Sequence, residues 1–374
     1  MLPNEVRAFR IGNGRKKISS MVVWFVSFWT LAYVSVFWSS SPENTLATNY
    51  ITNSIQAFFL ILLISYRIED RRDLHRLITM LVVAALYGVI VLLAKTPSSA
   101  WGEERVGSAI GLNENVVGMN MAYSMMFALF LARSKRNWLY YLLAIVFVAV
   151  ALFTGSKKAL FLCMAGLLLL LSFSYKGVKG AVFAGIGIAL SVLLYWLVMN
   201  VPDLYFVIGK RLEFMFGTTK DTSTLQREWF VQYAQGMFLQ KPILGFGFNG
   251  FLTEMQRIGY TVKAYCHCNQ WELLSCLGLV GFCLYYSLFI AIGKRFFRII
   301  RSRGEDALFG IVVLGLSFAA DYGYVSFVSP DIYVYLVLLH SLANVAARES
   351  SCVSARKSIS EPNGSLRRTR TQKC

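Results

Sequence analysis

Apolar residues fall in blocks along most of the chain, and the blocks have membrane length. The first, 21–38, reads MVVWFVSFWTLAYVSVFW and carries no charge. Nine more follow at roughly 50–66, 77–94, 113–132, 137–153, 159–174, 180–199, 272–292, 306–326 and 331–347. A bilayer core about 30 Å thick takes about 20 helical residues, so each block is a candidate span. Glycine and polar residues inside several blocks are tolerated where membrane helices pack on one another. The pattern predicts an all-α fold: a polytopic transmembrane helical bundle of about ten spans. The first block is too long for a signal h-region and lacks a small-residue cleavage site, so it is expected to be a retained helix.

The blocks divide the chain into a segment 1–20, helices 1–7 over 21–199, a long loop 200–271, helices 8–10 over 272–347, and a basic tail 348–374 expected to be disordered. The loop is far longer than a connector needs, and such loops are functional or disordered. This one has the pattern of short helices. Leu225, Trp229, Tyr233 and Met237 recur at helical spacing and predict a helix over 224–240. Ser223 with Gln226 three residues on reads as its capping box, and Lys241-Pro242 as its end. Gly245-Phe-Gly-Phe-Asn-Gly250 predicts a turn that lets backbone approach something closely.

Composition agrees with the membrane assignment. Of the 374 residues, 56% are hydrophobic and 15% charged. Soluble domains carry about 45–50% apolar and about 25% charged residues. Two soluble domains of this length are thereby excluded. Charge then sets sidedness. With the N-terminus inside, 26 of the 37 Lys and Arg lie in the inner segments, and seven of the other 11 lie in the long loop. Long loops cross regardless of charge, so the short-loop asymmetry predicts N-in and C-in, with 200–271 extracytoplasmic. The net charge of +17 is mostly this bias toward anionic headgroups. Membrane anchoring accounts for the basic tail (Arg367, Arg368, Arg370, Lys373) without nucleic acid.

Candidate chemistry collects at the outer face. Arg227 is expected in the first turn of the loop helix, where a cation opposes the helix dipole unless an anion joins it. It either pairs with Glu228 or Asp221 or holds a phosphate. Lys157 and Lys158 sit in the tight turn TGSKKALF on the outer side, against the usual bias, either snorkelling to headgroups or providing charge for a phosphate. Lys210 and Arg211 add cations where the loop begins. His267 stands before the eighth span, where neutral imidazole can take a proton from a hydroxyl or simply satisfy a local hydrogen bond. Cys266, His267 and Cys268 are consecutive, so their side chains diverge and do not make a zinc site. Asn113 reads first as the N-cap of the fourth span, and Asn113 and Asn115 as binders of sugar hydroxyls second. Asp321 and His340 are ionisable groups at membrane depth, which are functional candidates by default.

Four ordered stretches carry a resemblance: GLNENVVG on the fourth span, TGSKKA after the fifth, STLQREWFVQYAQGMFLQKPILGFGFNGF in the loop, and HCNQWELLSCLGLVGF entering the next helix. Over roughly residues 105 to 290 the chain resembles the bacterial O-antigen polymerase and ligase family of membrane glycosyltransferases (Wzy-type and WaaL-type). The matching positions are Arg227 with Trp229 (closer together than in the family), Pro242, Gly245, Gly247, His267, Asn269, Gly278 and Gly281. The resemblance implies transfer of glycan from an undecaprenyl-pyrophosphate-linked oligosaccharide in the bacterial inner membrane, with no cofactor and no metal. It implies His267 as the base for the acceptor hydroxyl. By position it implies Arg227 and Lys157 as pyrophosphate ligands; Lys158 and Arg211 join them as neighbouring outer-face cations, and Asn113, Asn115, Asn269 and Asp321 are the candidates toward glycan. Lys157 stands where the family has arginine and offers a point charge in place of a bidentate fork. Membrane lipids, a flippase and a chain-length regulator are the partners it implies. A repeat-unit polymerase is the leading expectation. A ligase with a different acceptor is the nearest alternative, and a glycan transporter is the alternative from another class.

Overall fold

The computed structural model describes residues 18–97, 101, 105–107, 111–172, 177–216, 222–260, 264–302 and 304–360. Residues 1–17 of the expected inner segment, Asp221, and the tail residues 361–374 with their four cations lie outside the described residues.

Helices account for nearly all of the described chain, and no strand is present among those residues. In order they are α1 Ser20–Val34, α2 Pro42–Thr45, α3 Thr48–Arg67, α4 Arg71–Lys95, α5 Glu114–Lys135, α6 Leu139–Phe153, α7 Lys157–Ser172, α8 Gly177–Asn200, α9 Pro202–Leu204, α10 Lys210–Phe216, α11 Thr222–Gln240, α12 Gly250–Arg257, α13 Asn269–Ile299, α14 Gly304–Ala320 and α15 Pro330–Ser360. A 3-10 turn, Ser35–Phe37, extends α1, and a π-helical turn, Tyr205–Gly209, joins α9 to α10.

Among the described residues, eight helical stretches are long and apolar enough to cross a membrane. The ten expected blocks are all helical; α6 and α7, with 15 and 16 described residues, fall outside those eight. The polar turn Thr154-Gly-Ser156 separates them. One correction concerns the tail: α15 continues through Ala347 to Ser360, so residues 348–360 are helical where disorder was expected. No proline or glycine interrupts that stretch before Pro362 and Gly364.

The helix ends sort into two polar layers. In one, Arg71 donates both guanidinium branches to Asp306, at 2.8 and 2.9 Å, tying α4 to α14. Arg133 of α5 reaches Glu305 at 3.6 Å in the same layer. There too Arg295 bonds His340 and Asn344 at 2.8 and 2.6 Å, and Ser20 bonds His340 at 3.0 Å. His340 thus clasps α1, α13 and α15 and takes no part in the cation cluster described below. The other layer holds the turn 154–156, α11, α12 and the start of α13.

Two close approaches fix that second layer. A Cβ at Gly118 of α5 would stand 2.4 Å from Thr154 Oγ1 and 2.9 Å from Ala159 Cβ, so only glycine lets α5 sit under the turn that carries the lysines. The expected turn 245–250 packs on α13 where that helix breaks, at Gly278 (φ 62°, ψ −164°), a conformation open essentially to glycine alone. Ser275 and Cys276 carbonyls, freed by the break, accept from the amides of Phe246 and Gly247 at 3.0 and 2.8 Å. Leu279 and Val280 amides donate in return to the carbonyls of Pro242 and Ile243 at 2.8 and 3.2 Å. Broken helical backbone is thereby repaired by the loop, as apolar surroundings require. The close approach read from the glycines is to a helix.

Phe248, 1% exposed, pins the same turn into the bundle. It lies edge-on to Trp29, Tyr50 and Phe327, with its amide on Ser35 Oγ at 2.7 Å and its carbonyl on Thr45 Oγ1 at 3.0 Å.

Candidate functional site

Lys157 and Lys158 open α7. Thr154 Oγ1 closes α6 on the Ala151 carbonyl at 2.7 Å, and Ser156 Oγ accepts from the Ala159 amide at 3.3 Å. The turn is therefore capped on both sides, and the lysines project from a fixed helix start. Lys158 leans over the Tyr324 ring, its Nζ 5.9 Å from the centroid.

Arg227 lies on α11, but the helix begins at Thr222, so Arg227 is its sixth residue and not in the first turn. The Ser223 capping box does not form as expected: Ser223 is inside the helix, and Gln226 donates to the Tyr260 hydroxyl. The buried stripe keeps the expected Met237 but is otherwise turned by one residue from the expected one. Phe230, Ala234 and Met237 face the core, while Leu225 and Trp229 are exposed. This rotation sends Thr224, Arg227, Glu228, Val231 and Gln235, spaced three and four apart, to a different face.

That face meets α7 and the end of α14 across a cavity of about 740 Å³. Lys157, Lys158, Arg227 and His267 line it, and Phe161, Leu162, Val231, Ala319 and Ala320 supply an apolar wall. A smaller polar recess of about 30 Å³ opens beside it. Five cations converge there, Arg105, Lys157, Lys158, Arg211 and Arg227, with no carboxylate in the lining. Three of the five, Lys157, Lys158 and Arg227, border both spaces. Arg211 donates to the Gly155 carbonyl at 3.2 Å, which holds the start of α10 to the lysine turn. A crowd of like charges is unfavourable unless an anion or a counter-charge accompanies it.

Arg105 is a member that the sequence reading missed. It donates to the Thr154 carbonyl at 2.9 Å and to Asn115 Oδ1 at 3.0 Å, and pairs with Glu114 at 3.2 Å. Burial, then repulsion from Arg211, lowers its pKa, with Glu114 opposing and Arg227 adding a smaller push. Its signal was available: like Lys157 it is a cation outside the long loop on the side that the charge pattern predicts to be outer.

His267 has a left-handed backbone, φ 59°. Its ring stacks on Phe230 at 6.2 Å and tilts against Tyr265 at 3.9 Å. Burial first, then Arg227 and Lys158, pushes its pKa down from 6.5 to about 4. At neutral pH the ring is therefore unprotonated and can accept a proton.

The glycan candidates fare differently. Asn113 is the N-cap of α5, accepting from the amides of Asn115 and Val116 at 3.0 and 3.3 Å, and Asn115 is held by Arg105. Asn269 and Asp321 are 0% and 1% exposed and bond each other at 3.3 Å. Tyr286 donates to Asp321 at 2.8 Å, and Asn269 Oδ1 accepts from the amides of Ser326 and Phe327 at 2.8 and 3.0 Å. Both are enclosed side chains that bind α13 to the segment before α15, and neither reaches the cavity. Cys266, Cys268 and Cys276 are buried free thiols, and no cluster able to hold a metal occurs among the described residues.

Among known proteins, no family model matches the chain and no curated sequence matches it.

Proposed function

We propose that the chain is a membrane glycosyltransferase that joins oligosaccharide repeat units carried on a polyprenyl diphosphate, at the outer face of a bacterial cytoplasmic membrane. One observation carries the reading: Lys157, Lys158, Arg227 and His267 line a single cavity whose other wall is apolar. A lipid diphosphate has the same division, a multiply charged head on a hydrocarbon tail. The charge asymmetry between inner and outer segments supports placing this layer outside, with both termini inside. The motif resemblance points to the same chemistry.

In this reading the diphosphate lies against Lys157, Lys158 and Arg227, and the tail follows Phe161, Leu162 and Val231. The acceptor hydroxyl loses its proton to His267 as its oxygen attacks the anomeric carbon of the donor. The bond from that carbon to the diphosphate oxygen breaks, and the cations stabilise the charge left on the leaving group. Transfer to a different acceptor, as a ligase performs, uses the same cavity and differs only in what enters opposite the donor.

Purified protein in lipid nanodiscs, supplied with a single lipid-linked repeat unit, is expected to build a ladder of products, and the His267→Ala protein none. A wild-type protein that leaves the repeat unit unextended, yet transfers it to a second acceptor, would select the ligase reading. Activity in His267→Ala equal to wild type would remove the base.

A further inference from the structure

His267 sits at positive φ, where a non-glycine residue rests only with support from its surroundings. A non-glycine residue at positive φ costs on the order of 1 kcal/mol and persists only where its surroundings over-determine it. The segment Ala264–Cys268 has no regular structure of its own to do this.

Two anchors flank the histidine. On the far side, Asn269 is fixed by four hydrogen bonds to Tyr286, Asp321, Ser326 and Phe327. On the near side, the Cys266 amide donates to the Glu272 carboxylate. The Glu272 amide donates in turn to the Cys268 carbonyl at 2.9 Å, so the loop is gripped from both directions by one residue. Glu272 is 4% exposed, and no cation pairs with it among the described residues. A buried carboxyl group without a cation is costly unless it is hydrogen-bonded. Glu272 lies in the first turn of α13, and the Cys266 amide supplies that bond.

We infer that Glu272 is a positioning residue for the transfer reaction: its carboxylate holds the Cys266 amide and so sets the left-handed backbone that aims the His267 ring into the cavity between Arg227 and Lys158. Remove the acceptor, and His267 relaxes toward an ordinary backbone with its ring displaced from the acceptor hydroxyl. Glu272 itself does not line the cavity and touches no substrate. The inference rests on the proposed role of His267 and is testable apart from it.

Three substitutions separate reach from side-chain identity. Glu272→Gln keeps a carbonyl oxygen at the same reach and replaces the acid by an amide. Glu272→Asp keeps the acid and shortens the reach. Glu272→Ala removes both. Two readouts are taken on nanodisc-embedded protein: transfer rate from a lipid-linked repeat unit, and the rate at which diethyl pyrocarbonate modifies His267, followed by peptide mass spectrometry with His75 and His340 as internal references. Misplacing a catalytic group by about 1 Å can cost on the order of 100-fold. The expected result is a kcat about tenfold or more lower in Asp and Ala with donor KM unchanged, near wild-type activity in Gln, and altered His267 modification in Asp and Ala only. If Ala does not fold, the order Gln above Asp decides alone. Asp equal to or better than Gln, or identical His267 reactivity in all three, overturns the inference. Should transfer activity be missing from wild type as well, the modification rates still decide whether Glu272 holds His267, and only the transfer reading fails.

Discussion

Lys158 runs across Gly323: a Cβ at residue 323 would stand 2.5 Å from Lys158 Cε and 3.1 Å from its Nζ. The lysine reaches the cavity because that glycine has no side chain. Lys158 is the far end of a flexible chain and can swing away, so the fold tolerates a methyl group there while the ammonium does not keep its place. Gly323→Ala is expected to lower transfer about tenfold while the unfolding midpoint stays within a few degrees of wild type. Activity and thermal unfolding on the same preparation check it. Full activity in Gly323→Ala would mean that the position of Lys158 is immaterial.

Arg227 gives a second test. A guanidinium offers a planar fork to phosphate oxygens, and an ammonium offers a point charge. Arg227→Lys keeps the charge yet is expected to lose about tenfold or more in kcat/KM, with the protein still membrane-inserted at normal yield. Unchanged kcat/KM would take Arg227 out of the phosphate contact.

The pH dependence has a defined sign. His267 has its pKa lowered to about 4, with burial as the main cause. Free enzyme keeps a neutral base well below pH 6.5, so the acid limb of kcat/KM is expected only near pH 4. A bound diphosphate offsets Arg227 and Lys158, raising the imidazole pKa, so the acid limb of kcat should lie at higher pH than that of kcat/KM. Stability follows the same group. Between about 4 and 6.5 the unfolded chain binds this proton and the folded chain does not, so stability rises with pH across that window and is lost as pH falls through it. Unfolding midpoints of wild type and His267→Gln should diverge there, wild type losing more on acidification.

Gly278 tests the repaired break in α13. Its Cβ would stand 2.2 Å from the Ile243 carbonyl oxygen, which is backbone and cannot swing aside. Gly278→Ala is expected to destabilise by several kcal/mol, about 3 or more, and to cut folded yield in detergent. A normal elution profile and midpoint would contradict the backbone exchange with Pro242 and Ile243.

Much of the fold was legible because its signals are one-dimensional. Apolar blocks locate every long helix, and Lys241-Pro242 ends α11 where expected. Arg211 and Arg227 lie far in sequence from the Lys157–Lys158 pair, yet the sidedness expected from charge already grouped them before any contact was known. What escaped depends on partners distant in the chain. Asn269 looks like a polar residue facing solvent until Asp321, 52 residues on, encloses it. Arg105 belongs to the cluster only because the turn after α6 folds back over it. The buried stripe of α11 was misplaced by one residue because Trp229 and Phe230 are both aromatic, and only packing against Phe251 and His267 chooses Phe230.

Binding separates the cations from the base. Undecaprenyl diphosphate titrated onto the purified protein and followed by native mass spectrometry should saturate wild type and His267→Ala alike, and bind at least about tenfold more weakly to the Lys158→Ala, Arg227→Ala double variant, with undecaprenol weak throughout. Equal binding of the diphosphate to wild type and the double variant would show that the cavity between α7 and α11 is not where a lipid diphosphate is held.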